Sequence, residues 1–346
     1  MKEQPTTKAP TPFPTLGDDV LVTGIGDDVI DGLAGIDSIF TVSGDDIAFG
    51  GAGDDNITGG FGNDTLYGGD GRDQLYGDLD IDDGDLVGFP GDDQLFGGNG
   101  DDLIFGGFGN DLINGEQGND YLIGQSGDDR IFGGQGFDVL NGGKGNDFLD
   151  GGQSNDQVFA GTGNDRLFGG AGDDLMNGDA DDDQLFGGNG DDLVIGNIGD
   201  DEVYGGAGHD ELVGGTGNDI LDGGGGRDRL VAFNPYGGFV DDFEQDILTG
   251  GQGKDIFVLG LRSPIFGDQV FYATSGETDY ALVTDFEIKK DTIELLADAG
   301  NYQLGAAPES LSQEGAGLFF NGDLIAVLAG VELSNLSLES GSFSFV

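Results

Sequence analysis

The sequence predicts an all-β solenoid closed by a β-rich C-terminal cap. Three observations carry this: a glycine-rich nine-residue period, one aliphatic residue per period at a fixed position, and loss of the period near residue 259. From Thr23 to Tyr76 the chain divides into six nonapeptides without a gap, and from Gly88 to Val231 into sixteen more. Each reads G-G-x-G-x-D-x-U-x with U apolar, as in "GGNGDDLIF" from Gly97 and "GGTGNDILD" from Gly214. Degenerate copies sit at Pro14 and Gly250.

The strand element comes from the last three positions. Position eight is aliphatic in nearly every copy (Ile30, Ile57, Leu66, Ile104, Leu149, Leu221), with Ala48 and Met176 as departures. One apolar side chain in nine does not make an amphipathic helix, and glycine at positions one, two and four opposes helix in any case. The final tripeptide therefore reads as a short strand with one inward side chain. The first six positions read as a tight turn, where glycine supplies positive φ and lets backbones approach closely. Turn plus strand at fixed length gives a solenoid.

Two segments break the register, 77–87 and the looser 232–249, and each is expected to bulge from the stack or to cap part of it. "GDDQLFGGNGDDL" from Gly91 recurs, with one change, from Asp181, ninety residues later, so the array grew by duplication of whole units. The expected domains are a Pro-rich tail over 1–13, a roll over 14–258 and a cap over 259–346. Strand-like runs such as "ALVTDFEI" and "DLIAVLAGV" fill the cap. A cap protects what is otherwise an open sheet edge.

Composition narrows the function. The formal net charge is −55, from 67 acidic and 12 basic residues. Uncompensated, such a charge opposes any compact state. It also excludes nucleic acid, which needs a basic face, and disfavours anionic membrane surfaces. No stretch is apolar for long enough to span a membrane. The N-terminus lacks the apolar core of a secretory signal peptide. There is no cysteine, so thiolate chemistry and thiolate metal sites are absent.

The turn suits calcium. This ion takes six to eight oxygens in flexible geometry. A curled glycine turn can aim several carbonyls at one point, and the position-six aspartate adds a charged oxygen. Magnesium demands stricter geometry, and transition metals would want His or Cys. Each bound cation would cancel charge and couple binding to folding.

These nonapeptides resemble the repeats-in-toxin, or haemolysin-type calcium-binding, repeat over residues 14–258, about 70% of the chain. The resemblance implies a right-handed parallel β-roll with two nonapeptides per coil and roughly one Ca2+ per nonapeptide. Carried over position by position, it makes metal ligands of Asp28, Asp37, Asp46, Asp55, Asp64, Asp73, Asp93, Asp102, Asp111, Asp120, Asp129 and Asp138. The row continues as Asp147, Asp156, Asp165, Asp174, Asp183, Asp192, Asp201, Asp210, Asp219 and Asp228, with Asp19 and Asp255 in the terminal copies. Ser154 and Asp181 replace the position-four glycine, so loss of positive φ is expected to disturb those two turns. "ALVTDFEIKKDTIELL" and the ending "FSFV" resemble the tails of cyanobacterial members, which implies an uncleaved type I secretion signal.

Other features read as structural. His209, the only histidine, is expected to be an exposed turn residue at position five. Aromatics at position nine (Phe49, Tyr67, Phe96, Phe168, Phe186, Tyr204) should face outward and stack in ladders, or serve lateral packing. The H-E-x-x-H and G-x-S-x-G motifs are absent, so no enzyme is expected. A pore former would need a long apolar or amphipathic region, and ice binding would need a regular Thr or Asn array. The expected function is an exported structural protein, a surface-layer, fibre or matrix component that folds on calcium and self-associates at the cell surface. The alternatives are an adhesin-like module for surface polysaccharide and a passive calcium buffer.

Overall fold

The computed structural model describes residues 14–78, 91–233, 245–263, 267–270, 280–295, 301–308, 311, 314–321 and 323–345. The Pro-rich tail, most of each irregular segment and part of the expected cap lie outside these residues. Among the described residues the regular structure is β-strand, with one short 3-10 turn at Leu333–Asn335. The chain is a parallel β-solenoid, and it divides into two compact units, Met1–Thr162 and Gly163–Val346.

In the first unit alternate strands form two parallel stacks. One runs from Val20–Val22 through Ser38–Phe40, Asn56–Gly60 and Gln74–Asp78 to Leu103–Phe108 and beyond. The other runs from Val29–Asp31 through Ile47–Ala52 and Thr65–Asp70 to Gln94–Asn99 and beyond. Pairing joins residues 18 apart, as in Leu21↔Ile39 and Leu122↔Leu140, so a coil is two nonapeptides. Position eight points inward because side chains alternate along a strand. Leu66, Ile104 and Leu140 are fully buried, and so is the departure Ala48.

The first irregular segment leaves this register intact. Leu66 pairs with Leu95, 29 residues on, so the register on either side of the segment is kept without a slip. A slip by one would turn every inward residue outward. Gly77 takes position one for Asp93, since a Cβ there would lie 2.2 Å from Asp93 Oδ2.

The second unit repeats the architecture, and its parallel pairing outlasts the nonapeptide period. Ile256–Val258 pairs with Thr292–Leu295, which pairs with Phe343–Phe345. Ile247–Thr249 pairs with Ala281–Val283, which pairs with Asp323–Ala329. The boundary expected after Val258 is thus a change of sequence period, not an end of coiling. Antiparallel strands Tyr302–Ala306 and Gly315–Phe320 then cover the edge of Asp323–Ala329. Phe257 fills position eight here, fully buried, with Phe286 edge-on at 6.1 Å. Half-buried Arg229 ties the late coils together, reaching Glu294 at 2.6 Å and Glu211 at 3.3 Å.

Candidate metal centre

The turn places each position-six aspartate with its back to the core. Every sequence-predicted ligand from Asp28 to Asp228, and Asp255, is at most 4% exposed. Asp19 is the exception, half-buried at the first coil. Inside each unit these carboxylates form a ladder. The backbone N–H of one donates to Oδ1 of the next coil's aspartate: Asp64 to Asp93 at 2.7 Å, Asp93 to Asp111 at 2.8 Å, Asp183 to Asp201 at 2.9 Å.

The second oxygen is left over. Oδ2 of Asp37, Asp55, Asp64, Asp73, Asp93, Asp102, Asp111, Asp120, Asp129 and Asp138 is buried with no hydrogen-bond partner, and so is that of Asp183, Asp192, Asp201, Asp210 and Asp228. A buried carboxylate oxygen without a partner is costly. Burial first, and then neighbouring aspartates, push Asp64 and Asp73 up to about 7, Asp93 to about 8, and Asp111 and Asp183 to about 9. A repeated shift of one sign, at one repeat position, marks a site prepared for a cation.

The position-one glycines show what surrounds Oδ2. A Cβ on Gly115 would lie 2.3 Å from Asp120 Oδ2 and 2.8 Å from the carbonyl oxygen of Gly133 in the next coil. Gly32, Gly59, Gly187 and Gly196 repeat the arrangement. These glycines do not have positive φ, so space alone requires them. Positive φ belongs to positions two and four, as at Gly134 and Gly136. A bare carboxylate oxygen and a neighbouring carbonyl thus share a cradle no side chain can enter. This all-oxygen donor set fits a hard cation such as calcium, which the position-six aspartates and turn carbonyls would hold. Among the described residues no three His, Asp or Glu side chains converge, so backbone oxygens must complete any such shell.

One expectation needs correction. Ser154 and Asp181 keep positive φ, at 81° and 80°. The turn survives because its neighbours dictate the backbone, and the Cβ is absorbed elsewhere. The N–H of Gly136 reaches the Gln153 carbonyl at 3.3 Å and that of Gly163 reaches Ala180 at 3.4 Å, against 2.7–2.9 Å in most other turns. The spreading is confined to the turn, because between the same coils Gln157 N–H still reaches the Asp138 carbonyl, and Gln184 N–H that of Asp165, at 2.9 Å. Asp181 compensates through Oδ2, which accepts the Gly163 N–H at 3.1 Å.

Three functional features escaped the sequence reading. Asp246 and Asp291 take position six in coils outside the period, accepting from Asp219 at 2.8 Å and Asp255 at 3.2 Å. The D-x-U core of "QDILT" and "KDTIEL" was the available signal. Two end carboxylates, one in each unit, are closed locally: Asp19 Oδ2 accepts the Thr15 N–H at 2.6 Å and Asp291 Oδ2 the Glu287 N–H at 2.7 Å. Position five carries a second ladder of opposite sense, in which Asp and Asn side chains accept the next coil's N–H, as Asn110 does from Asp128 at 2.7 Å; it is broken where position five holds a residue without an acceptor, such as Arg72 or Phe137. His209 belongs to it, with Nδ1 accepting the Arg227 N–H at 2.9 Å.

The expected aromatic ladders are present. Phe49, Tyr67 and Phe96 stack at 4.8 and 5.0 Å in the first unit, and Phe168, Phe186 and Tyr204 at 4.9 Å in the second. Their faces are spent on one another, with Arg166 over two of the rings.

Comparison with known proteins gives one family. The model described as RTX calcium-binding nonapeptide repeat (4 copies) matches residues 15–48, 49–83, 87–122, 123–158, 159–194 and 195–230. Among solved structures, the chain is similar to the AlgE6R3 subunit of the Azotobacter vinelandii mannuronan C5-epimerase. That match has 24% identity and a TM-score of 0.26, over 48% of this chain and 79% of that one. No curated protein matches.

Proposed function

We propose, for a chain that belongs to the RTX calcium-binding nonapeptide repeat family, that it is a secreted structural roll which calcium folds and which then associates with copies of itself. The observation that carries the calcium-dependent part is the ladder of buried carboxylates, each with one oxygen bonded and, at fifteen positions, one bare. Ionised and without cations, that ladder repels itself. With cations it becomes the frame of the coil, so binding and folding are one event. Weak sites of this kind suit the near-millimolar calcium outside cells. Export by type I secretion fits, because a chain held unfolded by low calcium passes a narrow channel more readily than a finished roll. Among the described residues no helix is long and apolar enough to cross a membrane. The reading assigns the chain no catalytic chemistry, and its one histidine serves the position-five ladder.

Calcium titration of chelator-stripped protein tests this, followed by circular dichroism and light scattering on the same samples. The proposal expects β signal to rise cooperatively near millimolar calcium, with scattering following. A fully folded apo protein would refute the calcium-driven fold. A folded monomer retained on surface polysaccharide would replace the structural role by that of an adhesin-like module. A folded monomer without any ligand would leave a calcium buffer.

A further inference from the structure

Basic residues are scarce in this chain, 12 against 67 acidic ones, yet two of them follow the single histidine on consecutive coils of one row. Along one edge of the second unit, position five of five successive coils reads Asp173, Asp191, His209, Arg227 and Lys254. The ladders fix this order. The Asp191 N–H donates to Asp173 Oδ1 at 2.9 Å, that of His209 to Asp191 Oδ1 at 2.8 Å, and that of Arg227 to His209 Nδ1 at 2.9 Å. The Asp228 N–H reaches Asp255 Oδ1 at 3.1 Å, which sets Lys254 on the coil after Arg227. All five residues are exposed.

The row is dipolar: two carboxylates, an imidazole, two cations. Coils lie about 4.8 Å apart, so it is roughly 19 Å long. Turned end for end, it is its own complement, with Asp173 facing Lys254, Asp191 facing Arg227, and His209 on the axis. We infer that this edge is a self-complementary contact between two copies of the chain, related by a two-fold axis through His209. Such an isologous arrangement needs one surface used twice. The flanking position-three residues are small at Ala171, Ala207 and Gly225 and polar at Asn189 and Gln252, so none of them sets an apolar side chain against a polar contact. Calcium at position six removes the repulsion that keeps two such acidic chains apart, while position five keeps its charges. An acidic polysaccharide would use the cations and be repelled by Asp173 and Asp191, so the second copy fits better. Exposed ion pairs are individually weak and screened by salt, so the contact acts through four pairs in register. The inference deepens the self-association reading and rests on it.

Sedimentation velocity of the calcium-loaded full chain, over a concentration series, tests it. The parent is expected to dimerise at low salt, with a dissociation constant at least ten-fold higher in about 0.5 M salt. A chain carrying R227E and K254E and another carrying D173K and D191K are each expected to be monomeric. Their equimolar mixture is expected to regain the dimer, because all four pairs then oppose correctly. Circular dichroism at saturating calcium checks that each variant keeps its strands, and R227Q with K254Q serves if charge reversal does not. A parent that stays monomeric overturns both this contact and the self-association reading. Association undiminished in the variants overturns the contact alone. A monomeric parent retained on carboxylated polysaccharide through Arg227 and Lys254 makes the row a glycan site, and the inference fails.

Discussion

Gly115→Ala isolates the cradle beside position six. Its backbone needs no positive φ, so alanine brings no conformational strain there. It brings one methyl group, 2.3 Å from Asp120 Oδ2 and 2.8 Å from the Gly133 carbonyl oxygen. Cβ atoms essentially never come within 3.0 Å of another heavy atom, so something must move by at least about 0.7 Å. Overpacking of that size costs about 1–3 kcal/mol. The calcium midpoint is a poor reporter of such a loss. If about twenty ions bind with folding, 2 kcal/mol shared among them moves the midpoint by less than ~20%. The count of bound ions is sharper. Equilibrium dialysis at saturating calcium, with metal analysis of the retentate, should find one or two ions fewer than in the parent. An unchanged count, in a variant that circular dichroism shows to be folded, would refute the placing of the cation beside position one.

Three further outcomes follow from the geometry. Ser154→Gly should remove the αL cost of a side chain, about 1 kcal/mol, and close the 3.3 Å ladder bond at Gly136; a thermal melt at saturating calcium should rise by about 1–2 °C, and a fall would contradict the spreading. The metal-free roll should gain stability as pH falls: the folded aspartates hold protons up to about 8 or 9, as at Asp93 and Asp111, while the unfolded ones release them near 3.8. Stability is then lost as pH rises through that window, so chelated protein should show more β signal at about pH 5 than at about pH 9, and the reverse order would sink the protonation argument. Asp128→Asn should leave stability and ion count unchanged, because Asn keeps the acceptor for the Asn146 N–H, whereas Asp128→Ala should cost about 0.5–1.5 kcal/mol in urea unfolding; equal effects of the two would show that position five acts by charge.

The fold was legible because its signal is redundant. Leu66, Ile104 and Leu149 repeat one instruction in one place, and Ala48 and Met176 could depart without changing it. The ligand candidates were legible for the same reason. What the period did not encode stayed hidden. Asp246 and Asp291 keep only the aspartate and the inward aliphatic two residues on, because pairing needs no more than that once a preceding coil supplies the template. The place of Gly77 beside Asp93 was invisible because Gly88 also satisfies the consensus. Position five looked like solvated polarity, because a one-dimensional pattern does not reveal an acceptor used by a residue one coil away.

The opposed senses of the two side-chain ladders bear on length. In an α-helix every peptide dipole points the same way, and the ends accumulate partial charge. Here the position-six row passes its hydrogen bonds forward and the adjacent position-five row passes them backward. Where position five is Asp or Asn the neighbouring rows run in opposite senses, so their hydrogen bonds do not add up in one direction along the stack. These two ladders then favour no particular number of coils once cations neutralise the carboxylates. Insertion of whole pairs of nonapeptides, the unit on which the stretch at Gly91 recurs at Asp181, extends such a molecule without retuning its ends.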